Sequence, residues 1–557
     1  MSEIKSYHIF MFPFRWDYIE NPNKFEESSF EEKVNIEIMT QYLEKTGWRI
    51  KSDEIECSED YNEKLYFYDN VRRAIYNQNN TAKPIVKNFA YTPNEKTRGK
   101  YIIQAKDKEY ILEIERIILK VYDTGVAILS YHLKNTMPDI KKEDIFMINE
   151  FGRRIYPQFI NNNETERTAF TKGRFLATKL QILWEDDRSS ITETFEWYDC
   201  LETVRKNPTK LSDTIMKILN GSDNEYFIDN SRVLCEKKIL IRPIIDDRMY
   251  VICWYKNDNW ISELSEFNES KNEYMYVEDA DWFKFLFVDG QDKCCTSRLM
   301  TENLLKQHTY DRWIGGTLYG ITRYSFVMLC CESDFSKNIL LTHMRTMYYQ
   351  MVSLVLAQRA SILVFSDEVS SISTLKGSNL VSRVRSLHKN YIQFVNKLYF
   401  REVTAQEQGI ELYTQLINTC EIERNIKDLD NEISELHEYA TLEQEAQTNT
   451  VLNWLTIISV AFVIPSFITG FLGMNIIDDN LLSNKDPISQ LLNWLGYIYL
   501  GPIFIVSLVC SSFLLGNKSR LKRNIKFIIL GLLFIILPFI ILFLLKGDIL
   551  ALLAKRE

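Results

Sequence analysis

Three hydrophobic patterns follow one another along the chain. Between residues 5 and 331, short alternating or wholly apolar runs at 7–14, 110–121, 126–133, 239–245 and 249–255 predict strands. Turn residues join two neighbouring pairs, Asp123-Thr124-Gly125 and Asp246-Asp247, and predict hairpins there. Apolar residues at helical spacing fill 30–46 and 211–219. Strands interleaved with helices make this part an α/β or α+β domain.

The second pattern starts near Phe335 and is helical. One long helix is expected over 336–370, with Ser336 as its cap. Lys376-Gly377-Ser378-Asn379 breaks it, and a second helix covers 380–400. A third begins near Thr404 and meets no proline before Pro465. Inside it Ile426, Leu429, Ile433, Leu436 and Ala440 keep spacings of three and four, the pattern of a helix packed along its length. Its other faces are acidic, with nine carboxylates between Glu421 and Glu445 against Arg424 and Lys427. Such a run is first of all a solvated surface; beside an ion path it also concentrates cations.

The third pattern is apolar and uncharged. Residues 451–472 are long enough to cross a bilayer as a helix, and so are 491–515 and 527–545. The loop 476–490 carries Asp478, Asp479 and Asp486 against Lys485, whereas 516–526 carries Lys518, Arg520, Lys522, Arg523 and Lys526 and no acid. Positive charge stays inside, so the basic segment and the N-terminal domain are expected in the cytosol and the acidic loop outside. The start of the chain, Met1-Ser-Glu-Ile-Lys, has no apolar signal core, which agrees. The expected organisation is therefore a cytosolic α/β domain (1–335), long helices and a stalk (336–450), a first span (451–475), an external loop (476–490), a second span (491–515), a basic linker (516–526) and a third span (527–545).

Composition narrows the function. A net charge of −9 argues against a general nucleic-acid binder. The ten cysteines include the pairs Cys294-Cys295 and Cys330-Cys331, with no C-x-x-C spacing and no local zinc pattern; buried cytosolic thiols are the expectation. There is no P-loop, no G-x-G-x-x-G after a strand, no H-E-x-x-H and no G-x-S-x-G, so no enzyme is expected.

Gly473-Met474-Asn475 stands at the outer end of the first apolar helix, and 449–475 read NTVLNWLTIISVAFVIPSFITGFLGMN. This stretch resembles the CorA family of divalent-cation channels. The resemblance implies a homopentamer in the bilayer whose first span lines the pore, with the second outside it. At about 100° per residue, Asn449, Leu452, Leu455, Ser459, Val463, Ser466 and Gly470 share one stripe of that helix, and these positions match pore-facing ones in the family. Leu452 and Leu455 suit an apolar constriction; Ser459, Ser466 and Gly470 suit a hydrated ion. A stripe of small residues also serves plain helix packing. Magnesium sheds water reluctantly, and a ring of Asn475 amides can hold it through its hydration shell, with Gly473 allowing the tight turn. Leu472 departs from the family, which usually has an aromatic there, and a third span is a further departure.

The opening 5–17 and the stretch 401–412, Arg-Glu-Val-Thr-Ala-Gln-Glu-Gln-Gly-Ile-Glu-Leu, resemble the CorA-like branch encoded beside type III CRISPR systems. That resemblance implies an antiviral effector in the bacterial cell membrane, gated by a nucleotide second messenger, S-adenosylmethionine joined to AMP, with no direct nucleic-acid contact. Arg153-Arg154 beside Tyr156, and Arg312-Trp313 with Arg323, bring basic and aromatic groups of the type such a ligand needs; none is assigned to it. The alternatives are a housekeeping Mg²⁺ transporter gated by cytosolic Mg²⁺ and a non-conducting membrane sensor or scaffold.

Overall fold

The structure, a computed structural model, describes residues 3–51, 55–76, 84–91, 99–155, 176–185, 190–199, 201–221, 225–246, 248–290, 294–375 and 377–472. Two units divide within one helix, 1–440 and 441–557. The first unit is a mixed sheet of 14 strands among the described residues, with helices on both faces.

The sheet is organised by the strand Ser6–Ile19, buried almost throughout. Its residues alternate: Tyr7, Ile9 and Met11 enter one apolar cluster, and Phe10, Phe12, Phe14 and Trp16 enter the other. A strand covered on both faces needs apolar residues at nearly every position, which is why its sequence shows a run and no alternation. One edge pairs antiparallel with Val126–Asn135, which forms a hairpin with Lys108–Tyr122. Gly125, at φ +75°, makes the turn where the sequence signal put it.

The second expected hairpin does not form. Lys238–Pro243 and Tyr250–Lys256 both pair with Ser6–Ile19, one along Phe14 to Ile19 and the other along Ser6 to Met11. They lie end to end on one edge because that strand is 14 residues long. The interruption falls opposite Phe12 and Pro13, and proline gives the ladder no N–H. Tyr250–Lys256 then pairs parallel with Ser325–Cys330. Gly320 on the next strand is required by contact: a Cβ there would stand 1.6 Å from Leu286 Cδ1 and 2.9 Å from Val327 Cγ2. Gly320→Ala is expected to lower stability by about 1–3 kcal/mol, read as a shift of the denaturation midpoint; an unmoved midpoint would show that the helix Ala280–Phe287 yields freely.

Three helical expectations are corrected. The stretch 30–46 is two helices, Phe30–Lys33 and Ile36–Lys45, because Asn35 caps the second by accepting from the Glu37 and Ile38 amides. The stretch 336–370 is a π-turn, Ser336–Leu340, a short helix, Leu341–Arg345, and the long helix Met347–Ser373, with Thr346 at φ −118°, ψ −89° between the last two. The third helix is Glu407–Thr419 and then Ile422–Leu472, parted by Glu421 at φ +52°. Arg323 holds that break: its Nε donates to the Thr419 carbonyl at 3.1 Å and its Nη2 pairs with Glu421. The expected helix 380–400 is present as Ser378–Lys397.

The cluster on one face of the sheet is made mainly by Met347–Ser373, Ser378–Lys397, Glu407–Thr419 and the start of Ile422–Leu472, where Ile426, Leu429, Ile433, Leu436 and Ala440 are all buried as their spacing required. The long helix is also tied to the sheet by charge. Arg15 donates to Asp17, to Asp367 at 2.6 Å and to Glu368 at 2.6 Å; Arg242 closes on Asp17 from the neighbouring strand.

Candidate functional site

The helix Ile422–Leu472 is unbroken through Pro465, so the packed segment and the apolar segment are one helix. Within its second unit the residues of the stripe, Asn449, Leu452, Leu455, Ser459, Val463, Ser466 and Gly470, are exposed. Leu452, Leu455 and Val463 are 53%, 56% and 62% exposed. Ser459 turns its hydroxyl back to the Leu455 carbonyl, 2.7 Å away, and Thr456 does the same to Leu452 at 2.9 Å, so the helix carries these polar groups without leaving their protons unmet. A Cβ at Gly470 would meet nothing within 4 Å. Among the described residues no helix is long and apolar enough to cross a membrane; the side chains of 460, 461, 464, 465, 467–469, 471 and 472 are not among them. Gly473, Met474 and Asn475, the loop 476–490 and the segments 491–515, 516–526 and 527–545 lie outside the described residues. The acidic faces between Glu421 and Glu445 are mostly exposed, as a solvated surface is.

The first unit contains two cavities of interest. The larger, about 570 Å³, has Arg312, Trp313, Tyr319, Phe335, His343 and Gln408 in its wall. The π-turn and short helix supply Leu340 and His343, and the loop before strand Thr317–Ile321 supplies Arg312 and Trp313. Trp313 and Phe335 are 54% and 60% exposed, and the Trp313 indole donates to Gln408 at 3.2 Å. Arg312 is committed elsewhere, to Glu411 at 2.6 Å and Glu407 at 3.1 Å. Burial lowers the His343 pKa, which favours the neutral ring. This wall suits a flat apolar group better than a phosphate.

The other basic residues singled out in the sequence are structural in position. Arg323 caps a helix end. Arg153 is buried at the end of Lys142–Gly152, donates to the Val288 carbonyl at 3.2 Å, and has its pKa lowered to about 9 by burial beside Arg248 and Arg154. Tyr156 lies outside the described residues.

The smaller cavity, about 310 Å³, was not foreseen. Its floor is the strand Lys108–Tyr122, which turns Arg116, Ile118 and Lys120 to one face, and the first turn of Met347–Ser373, with Tyr349 and Gln350. Its walls are Ser58–Tyr66, with Glu63 and Lys64, and Val86–Tyr91, with Asn88 directly opposite Lys120. The signal was present in the sequence: Arg116 and Lys120, four residues apart and so on one face, in the otherwise apolar stretch 116–122.

Residues 363–481, a stretch well under half of the chain, match the family model described as CorA-like Mg2+ transporter protein. The match starts inside Met347–Ser373, takes in the exposed stripe and ends past Asn475. No curated protein matches the chain in sequence. Among solved structures the chain is similar to the CorA magnesium transporter from Methanocaldococcus jannaschii, at 11% identity, covering 47% of this chain and 91% of that one with a TM-score of 0.20.

Proposed function

We propose that the protein is a CorA-type divalent-cation channel, its path built from the Ile422–Leu472 helix of several copies, five by resemblance, in a bacterial cell membrane. The observation that carries this reading is the CorA-like match over 363–481, which spans both the exposed stripe and Gly473-Met474-Asn475. A single helix encloses nothing, so a stripe of Asn449, Leu452, Leu455, Ser459, Val463, Ser466 and Gly470 becomes a pore wall only when copies face one another. Leu452 and Leu455 then form an apolar ring that gates by dewetting, and Asn475 receives the hydrated ion.

The gate is assigned to a nucleotide messenger of the S-adenosylmethionine–AMP type, acting through the first unit as a type III CRISPR effector. The resemblance at 5–17 and 401–412 supports this. Mg²⁺ gating in a housekeeping transporter is the second reading, favoured by the family's description as Mg2+ transporters.

Mg²⁺ entry into proteoliposomes, followed with a trapped fluorescent indicator, tests both. Messenger-dependent flux is expected, with Asn475→Ala reducing it at least about tenfold. Flux without messenger, closed by internal Mg²⁺, returns the housekeeping reading. No flux from assembled wild-type protein sinks conduction altogether and leaves a sensor or scaffold.

A further inference from the structure

The wall of the 310 Å³ cavity holds four cations, Lys51, Lys64, Arg116 and Lys120, and three carboxylates, Glu56, Asp60 and Glu63. Lys120 is almost wholly buried; its Nζ donates to the neutral Gln350 Oε1 and stands 5.4 Å above the Tyr349 ring. Burial, with Lys51 and Arg116 pushing the same way against Glu63, lowers its pKa to about 7. Glu63 accepts at Oε1 from Tyr76 at 2.7 Å and from Gln350 Nε2 at 2.6 Å. Arg116 gives Nη2 to the Arg345 carbonyl at 2.6 Å, and its Nε has no partner among the described residues. Asn88 gives Nδ2 to the Ile75 carbonyl at 3.0 Å, and its Oδ1 is likewise without a partner. The cations exceed the carboxylates by one, and the buried Lys120 amine, the Arg116 Nε and the Asn88 Oδ1 form the complement of an anion that also carries a hydrogen-bond donor. The volume sits at the small end of ligand pockets.

We propose that this cavity binds a phosphate or phosphate monoester, with Arg116 and Lys120 taking the phosphate oxygens and Asn88 accepting from a hydroxyl or amino group of the ligand. The site also reaches the helix frame. Arg345 is the last residue before the irregular Thr346, so its carbonyl has lost its helical partner and Arg116 replaces it. A ligand that draws the guanidinium into the cavity releases that carbonyl and changes the balance at the junction between Leu341–Arg345 and Met347–Ser373. This deepens the ligand-gated reading and rests on it only for the consequence to flux.

Calorimetric titration of the purified full-length protein in detergent with inorganic phosphate, AMP and adenosine tests the site without reference to conduction. Saturable binding of AMP and phosphate, with adenosine at least about tenfold weaker, is expected. AMP tighter than phosphate assigns the monoester as ligand; equal affinities assign free phosphate. Arg116→Met and Lys120→Met should each weaken binding at least about tenfold. Lys51→Glu, at the exposed rim, keeps the fold and should weaken it several-fold. Adenosine binding as well as AMP, or phosphate binding unmoved in folded Lys51→Glu and Lys120→Met proteins, overturns the site. Failure here leaves the Asn475 flux test untouched.

Discussion

Replacing Arg15 by leucine is expected to cost about 3–5 kcal/mol of stability, the range for removing one partner of a buried ion pair. Arg15 is buried, and so are Asp17 and Glu368. Without the guanidinium, Asp17 keeps Arg242 among the described residues, and Glu368 keeps Arg383 at 3.8 Å. The loss is a penalty of stranded carboxylates, so the triple variant Arg15→Leu, Asp17→Asn, Glu368→Gln should recover part of it. Chemical denaturation midpoints of the three proteins check this. A triple variant no more stable than Arg15→Leu would mean that the side chain's packing, and not its charge, was lost.

The second large effect is a loss of stability in mild acid. His8 lies between Ser6 Oγ at 2.8 Å and Asn149 Oδ1 at 2.7 Å in the buried central strand, and burial lowers its pKa from 6.5 to about 4 against the Asn149 contact. The unfolded chain therefore binds one more proton than the folded one between about pH 6.5 and 4. Stability from His8 is whole above the upper value and falls as pH drops through that window, by about 3 kcal/mol in all. His132, pushed well below 6.5 by burial and then by Arg116 and Arg345, adds with the same sign. Urea midpoints at about pH 7 and about pH 4.5 should differ widely in the wild type and less in His8→Gln; equal slopes would take His8 out of the account.

Much of the frame was legible because burial and periodicity are local. The runs at 7–14, 110–121 and 126–133 are strands of the sheet, and the spacing of Ile426 to Ala440 marks a buried helix face. What was not legible depends on residues far apart in sequence. Nothing near Thr346 announces a break, because the carbonyl it frees is met by Arg116, and nothing near Glu421 does, because Arg323 lies about a hundred residues before it. The missing hairpin at Asp246-Asp247 follows from the length of a strand more than 200 residues upstream. Arg312 and Trp313 do line a cavity, but Glu407 and Glu411 occupy the guanidinium, which no local pattern shows.

The central strand has a consequence for biosynthesis. Arg15 has Asp17 two residues away but must wait for Glu368, 353 residues later, before its second buried carboxylate exists. At bacterial or eukaryotic elongation rates that is roughly 20–70 s of translation. During this time the largely apolar strand and the segments that pair with its two edges, Val126–Asn135, Lys238–Pro243 and Tyr250–Lys256, have been made, while the helix Met347–Ser373 that packs on one face of the sheet is still incomplete. The cluster that Phe10, Phe12, Phe14 and Trp16 enter draws on no buried residue beyond Leu329, so one face of the sheet can be covered before the other. A chain stopped before Met347 is expected to leave Tyr7, Ile9 and Met11 bare.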